Sequence, residues 1–118
     1  MNYTNKQIKN ITALTFNPSD WSGRGDVTAT AIELDSSEVI VIFRGEQWMV
    51  AFESKSDREV DGGAYDGQVA YLWIDDQIIA VASQSAPRHW DAAEYGGDLS
   101  RSDSNPIVAL LQVASNVM

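Results

Sequence analysis

The only histidine of this chain lies among serine and aspartate, a combination that raises the question of nucleophilic catalysis. Ser83 and Ser85 precede His89, and Asp91 follows it. A Ser–His–Asp triad depends on geometry in space rather than on adjacency in sequence, and the chain has no Gly-x-Ser-x-Gly elbow. We therefore interpret His89 as a surface or hydrogen-bonded residue, predict no catalytic residue and expect the protein not to be an enzyme.

A second group that could do chemistry is an acidic segment with three glycines. Asp57, Glu59, Asp61 and Asp66 stand beside Gly62, Gly63 and Gly67. Carboxylates on a flexible loop can ligate calcium, but the spacing of an EF-hand and its final glutamate are missing. We interpret the segment as a solvated acidic loop and expect neither metal nor cofactor. A small enzyme or calcium-binding domain built on this loop is one alternative.

The negative charge is unevenly distributed along the chain. The formal net charge is −9, yet residues 1–25 contain three basic side chains and one acidic one. Residues 26–118 contain 16 acidic and five basic side chains. Such a field repels nucleic acid and acidic membranes and attracts a basic protein surface. The alternative is that the acidic surface only keeps the protein soluble. We expect a basic protein as partner, with no direct contact to nucleic acid or membrane.

Aromatic residues and arginine add candidates for a partner interface, where these residue types concentrate. Trp48 and Trp73 fall within predicted strands and are expected in the core, whereas Arg88, Trp90 and Tyr95 fall in a predicted loop. The predicted partner-binding residues combine the loop carboxylates, a two-aspartate turn and this aromatic group: Asp57, Glu59, Asp61, Asp66, Asp75, Asp76, Arg88, Trp90 and Tyr95.

Two helices are predicted at the ends of the chain. Thr4 to Gln7 has the spacing of a capping box, and apolar residues recur at helical spacing until Asn17-Pro18, which predicts a helix over 5–15. Asn105-Pro106 begins a wide apolar stripe that predicts the last helix, with asparagine as its cap.

Five strands are predicted between these helices. They cover residues 27–34, 39–43, about 48–52, 68–74 and 77–83, with a bulge between Ala31 and Ile32 and a type II′ turn at Gly45-Glu46. Residues 84–104 are predicted to be a loop with a helical turn at 90–94. The expected core includes Ile40, Ile42, Trp48, Val50, Trp73 and Leu110.

The predicted fold class is α+β, a five-stranded, mainly antiparallel meander sheet with an N-terminal and a C-terminal helix, and residues 1–118 are expected to form a single domain. The chain has no cysteine, which excludes disulfides and zinc–thiolate sites. No apolar signal segment is recognised near residue 1, so a cytoplasmic location is expected.

The sequence therefore predicts a non-catalytic acidic binding protein. One version is an inhibitor of the phage or mobile-element type that occupies the basic, nucleic-acid-binding surface of its partner by mimicking phosphates. The alternatives are an immunity or antitoxin protein that neutralises a basic toxin, the small enzyme or calcium-binding domain, and a structural or assembly subunit. Homo-oligomer formation is left open.

Overall fold

The computed structural model describes residues 8–17, 27–34, 37–54 and 67–117, and its strands form one antiparallel sheet. Each strand pairs with the next one in chain order, so the sheet order is β1 to β8 without a crossover. One helix follows the strands. The elements are β1 (Ile8–Phe16), β2 (Val27–Leu34), β3 (Glu38–Phe43), β4 (Glu46–Ser54), β5 (Gln68–Ile74), β6 (Gln77–Ala86), β7 (His89–Glu94), β8 (Ser100–Asp103) and α1 (Pro106–Val117).

The predicted α+β fold with five strands and two helices is wrong. Eight strands curl into a half-barrel, and the described part of the chain contains one helix, α1. The five predicted strands are present as β2 to β6. The three additional strands are β1, β7 and β8, which replace the expected N-terminal helix and most of the expected loop at 84–104.

Strand β1 occupies most of the segment that was predicted to be a helix over 5–15. Its register with β2 runs from Ile8 opposite Leu34 to Phe16 opposite Val27, with an irregularity between Ile8 and Asn10. Four of its nine residues are isoleucine or threonine, whose β-branched side chains favour strands. Pairing with β2 therefore prevails over the helical spacing of the apolar residues.

Strand β7 replaces the helical turn predicted at 90–94. Trp90 and Ala92 are buried, whereas His89, Asp91 and Ala93 are exposed, which is the period of two that a strand imposes. In the sequence this period is hard to recognise, because exposed Ala93 follows buried Ala92 and interrupts the alternation of polar and apolar residues.

Two local predictions in the central strands also need correction. Ala31 and Ile32 lie in an uninterrupted register and are both buried, so the predicted bulge is absent and the two residues lie on opposite faces of the sheet. The turn between β3 and β4 consists of Arg44 and Gly45, both with positive φ. Positive φ at both central residues is the pattern of a type I′ turn rather than type II′.

The inner face of the sheet, defined as the face against which α1 packs, holds the main core. Phe16, Phe43, Trp48 and Trp90 supply its large side chains, and the helix contributes residues that include the fully buried Leu110. Small side chains from the strands fill much of the remaining surface, and all are buried: Ala29, Ala31, Ala70, Ala80, Ala82 and Ala92. Alanine leaves room for a helix to approach the curled sheet closely.

The outer face, on the opposite side of the sheet, carries a smaller apolar cluster. It contains buried Ile32, Leu34 and Ile40, with Ile42 and Met49 packed against them. Of the predicted core residues, Ile40, Trp48, Val50 and Leu110 are confirmed as buried. Ile42 and Trp73 are only half-buried.

The predicted cap of the last helix is confirmed. The side-chain Oδ1 of Asn105 accepts hydrogen bonds from the backbone N–H groups of Ile107 (2.9 Å) and Val108 (3.3 Å). Pro106 takes the first helical position, where its missing N–H has no cost. Within the described ranges, no helix is both long and apolar enough to cross a membrane.

Two isoleucines of β3 provide a test of the outer cluster. Ile40 is 1% exposed, whereas Ile42, on the same face of the same strand, is half-buried. We expect Ile40→Ala to lower the free energy of unfolding by about 2–5 kcal/mol, because truncation of a buried isoleucine loses transfer energy and leaves a cavity. Ile42→Ala is the matched control and should cost clearly less. Urea denaturation measures both, and equal losses would contradict this assignment of burial.

Candidate functional site

A groove crosses strands β3, β4 and β5 on the outer face, and we call it the outer groove. Its volume is about 420 Å³. Apolar side chains and carboxylates both line it. The lining residues are Glu38, Gln47, Trp48, Met49, Ala51, Trp73, Asp75 and Asp76.

Strand register brings the floor of the outer groove together. Ala51 lies opposite Glu38 on one side, and Met49 lies opposite Trp73 on the other. Because side chains alternate between the faces of a sheet, these residues face outward while Val50, next to Met49 in sequence, is fully buried on the inner face. Strands β4 and β5 therefore present a thioether and an indole side by side, and β3 contributes Glu38 next to Ala51.

A tight turn places two carboxylates at the rim of the outer groove. Asp75 and Asp76 connect β5 to β6, with φ angles of 49° and 69°, and Ile74 lies opposite Gln77. Aspartate adopts this left-handed region more readily than most residues. Both residues are exposed, so the turn holds two negative charges in solvent beside Trp73.

A second depression adjoins the outer groove and adds another carboxylate. It has a volume of about 290 Å³ and is lined by Glu46, Gln47, Trp48, Ile74 and Asp75. The Glu46 Oε2 atom accepts a hydrogen bond of 3.2 Å from the Trp48 indole N–H, which holds this carboxylate on the inner side of β4, the same side as Phe43 and Trp48. Among the described residues that line the two depressions, none is lysine or arginine.

The structure separates the residues that were predicted to bind a partner. Asp75 and Asp76 lie on the outer groove, whereas Arg88 and Tyr95 lie at opposite ends of β7, about 20 Å apart at the rise of a strand. Trp90, between them in sequence, is 5% exposed and packs edge-on against Phe52 in the core, with ring centroids 6.1 Å apart.

The carboxylates of the predicted acidic loop lie outside the described residues. They are Asp57, Glu59, Asp61 and Asp66.

Sequence reasoning missed the aromatic part of this site. Trp73 was expected in the core because it falls in the middle of an apolar strand, but its neighbour Leu72 is the residue that faces inward and is fully buried. One signal was available in the sequence. A two-residue turn directly after Trp73-Ile74 places Asp75 and Asp76 within reach of the tryptophan.

A second candidate site is the cluster around the single histidine. On the outer face, Asp91 Oδ1 lies 2.9 Å from His89 Nε2 and accepts a 2.7 Å hydrogen bond from the Ser102 hydroxyl. The register places Ser102 directly opposite Asp91. The pKa of Asp91 is lowered from its ordinary value, chiefly by the hydrogen bond from Ser102 and further by Ser85 and His89, while partial desolvation opposes the shift.

The hydrogen bonds of this cluster do not connect a nucleophile to a base. The Ser102 hydroxyl donates to the carboxylate, and the Ser85 hydroxyl donates to the backbone oxygen of His89 over 3.5 Å. A catalytic triad requires the hydroxyl to donate to the imidazole, which the carboxylate orients from its other side. The cluster therefore acts as a hydrogen-bonded tie between β7 and β8.

The described residues also offer no ready metal site. Within residues 8–17, 27–34, 37–54 and 67–117, no group of three or more His, Asp or Glu side chains is arranged to hold an ion. The calcium alternative concerns the segment from Asp57 to Asp66, which lies outside these ranges.

The Ser102–Asp91 hydrogen bond gives a prediction about pH. Ser102→Ala should raise the pKa of Asp91 towards its ordinary value, because it removes the largest stabilising contact of the carboxylate. NMR titration of the carboxyl carbon measures this change. Ser100→Ala, on the same strand and face, is the control and should leave the titration unchanged.

The same lowered pKa links Asp91 to stability. A carboxyl whose folded pKa lies below its unfolded pKa adds stability above the unfolded pKa, and this contribution is lost as pH falls through the folded pKa. The loss of stability at acidic pH should therefore be smaller in Ser102→Ala than in the wild type. Identical pH profiles of unfolding in both proteins would show that the hydrogen bond does not control this titration.

Comparisons with known proteins supply no function for either site. No family model matches the chain, and searches of curated proteins and of solved structures likewise gave no match.

Proposed function

We propose that this protein is a non-catalytic binding protein whose outer groove receives a basic segment of a partner protein. The observation that carries the proposal is the composition of the groove. Trp73 and Met49 form an apolar floor, and the carboxylates of Glu38, Asp75 and Asp76 surround it.

The apolar floor distinguishes this surface from an acidic face that serves solubility alone. Solubility requires charge but no half-exposed indole, whereas a binding groove combines apolar contact area with a few placed polar groups. Trp73 and Met49 are both half-buried, so each has apolar surface left to cover. Tryptophan is also among the residues that contribute most to binding energy at interfaces.

The charges select the chemistry of the partner. A lysine or arginine side chain can lie against the face of the Trp73 indole, an interaction that contributes about 0.5–2 kcal/mol. Its charge then lies near Asp75 and Asp76, which the tight turn holds in place. The net charge of −9 draws such a partner towards the molecule over longer distances.

One form of this function is inhibition of a nucleic-acid-handling protein. The basic groove of such a protein binds phosphates, and a surface that presents carboxylates with an aromatic ring can occupy the same groove. The net negative charge also disfavours binding of nucleic acid by the protein itself. Neutralisation of a basic toxin uses the same surface chemistry and differs only in the identity of the partner.

The rim aspartates provide the direct test. Binding of a labelled arginine-rich peptide to the wild type, followed by fluorescence anisotropy, should weaken steeply as salt increases. Asp75→Asn combined with Asp76→Asn keeps residues that suit the turn but removes two charges. Each lost exposed ion pair costs about 0.2–1 kcal/mol, so affinity should fall roughly two- to thirtyfold.

A matched charge control separates the groove from the overall field. Glu94→Gln combined with Asp98→Asn also removes two charges, but from residues that do not line the groove. This control should weaken binding much less than the rim double variant. Equal losses in the two double variants would mean that net charge alone attracts the peptide. Trp73→Leu should also weaken binding, since it removes the indole face while keeping an apolar side chain.

A further inference from the structure

The two edge strands of the described sheet differ in how they are protected. Strand β8 has four residues and packs against α1, whereas β1 has nine residues and contacts the helix only weakly. Gln112 of α1 reaches the backbone oxygen of Asn17, directly after the end of β1. An edge strand presents a row of backbone N–H and C=O groups to a further strand.

The first six residues of β1 are exposed on both faces. Residues 8–13 are all exposed, and the two isoleucines among them are 46% (Ile8) and 59% (Ile11) exposed. Both lie on the outer face, where Ile8 is opposite Leu34 and Ile11 is opposite Ile32, two members of the outer apolar cluster. The apolar surface therefore continues from the buried cluster to the open edge.

We propose that this edge is a self-association surface, at which β1 pairs antiparallel with β1 of a second copy around a two-fold axis beside Ile11. Most homodimers have two-fold symmetry, and a two-fold axis perpendicular to a sheet relates two identical edge strands in antiparallel orientation. The two eight-stranded sheets then become one continuous sheet.

The side chains of β1 favour this register. With Ile11 opposite Ile11 of the second copy, the most exposed apolar side chain of each β1 strand meets its counterpart on the outer face. Asn10 then lies opposite Thr12 of the other copy, so a polar residue meets a polar residue on the inner side. Within one chain these two side chains already form a hydrogen bond of 3.1 Å. Cross-strand pairs of like polarity stabilise a sheet.

The charge distribution favours a second copy at this edge. Two chains with a net charge of −9 repel each other at most orientations, but β1 contains no acidic residue and only one charged residue, Lys9. In the proposed register Lys9 lies opposite Ala13 of the other copy. The two lysines are then about 13 Å apart along the strands, which exceeds the Debye length of about 8 Å at physiological salt. Antiparallel pairing of β1 thus joins the two molecules along a strand that carries no acidic side chain.

The first test is the mass of the full chain in solution as a function of concentration. Sedimentation velocity should show the wild type moving from 13.0 kDa to twice this mass as concentration rises. Ile11→Lys should remain monomeric, because it places two further positive charges at the axis. The control variant Tyr95→Lys also replaces a large exposed side chain with lysine, but in the β7–β8 connection, where Tyr95 is 62% exposed. It should dimerise like the wild type.

The absence of cysteine allows a second test that does not depend on a charged substitution. Directly opposite residues have Cβ atoms about 4.5–5.5 Å apart, close to the separation that a disulfide bridges. Under mild oxidation Ile11→Cys should form a covalent dimer at high yield, and Tyr95→Cys should not.

Three outcomes would overturn the proposal. A wild type that stays at the mass of one chain at all concentrations excludes self-association and leaves a strand of another protein as the candidate for this edge. Dimerisation that is unaffected by Ile11→Lys places the contact elsewhere. Equal covalent dimer yields from Ile11→Cys and Tyr95→Cys indicate random collision. Peptide binding at the outer groove should be unchanged in Ile11→Lys, so the failure of either proposal can be recognised independently of the other.

Discussion

Packing of α1 against the inner face of the sheet is the interaction on which the rest of the structure depends. The sheet alone would expose Phe43, Trp48 and the other large side chains of that face, and an amphipathic helix alone is marginally stable in water. Together they bury almost all of the helix from Ile107 to Ala114. The buried alanines of β6 and β7, Ala80, Ala82 and Ala92, leave room for this close contact, and the curl of the sheet also brings β1 to the edge of the same helix.

The two faces of the sheet differ in how much of their surface stays accessible. The helix covers the inner face, so the accessible surface of the described strands lies on the outer face and at the edge. The outer face is not uniform either, because Ile40 and its neighbours are buried there while Trp73 and the rim aspartates remain accessible. The hydrogen bond that Ser102 of β8 donates to Asp91 of β7 ties the last two strands together on that same face.

Sequence patterns predicted the central strands and the capped helix because their signals are local. The β-branched run in β3, the turn residues Asp75 and Asp76, and the Asn105-Pro106 cap each act within a few positions. Strand β1 was missed because its apolar residues fit helical spacing, and only pairing with β2 decides between the two forms. Part of the candidate site was predicted, namely the two aspartates of the turn. The outward position of Trp73 was not predicted. Alternation along a strand shows that Leu72 and Trp73 face opposite sides of the sheet, but it does not show which side the helix covers.

The order of the ladders has a consequence for how the chain reaches its native state. Every strand pairs with its neighbour in sequence, so sheet formation can proceed through short-range hairpins and requires little loop closure between distant segments. The core cannot be completed in this way, because the helix that covers the inner face follows all eight strands. During synthesis the strands therefore leave the ribosome before the helix does, and the aromatic inner face has no cover until α1 has been made. Exposed apolar surface and unpaired strand edges of this kind favour aggregation.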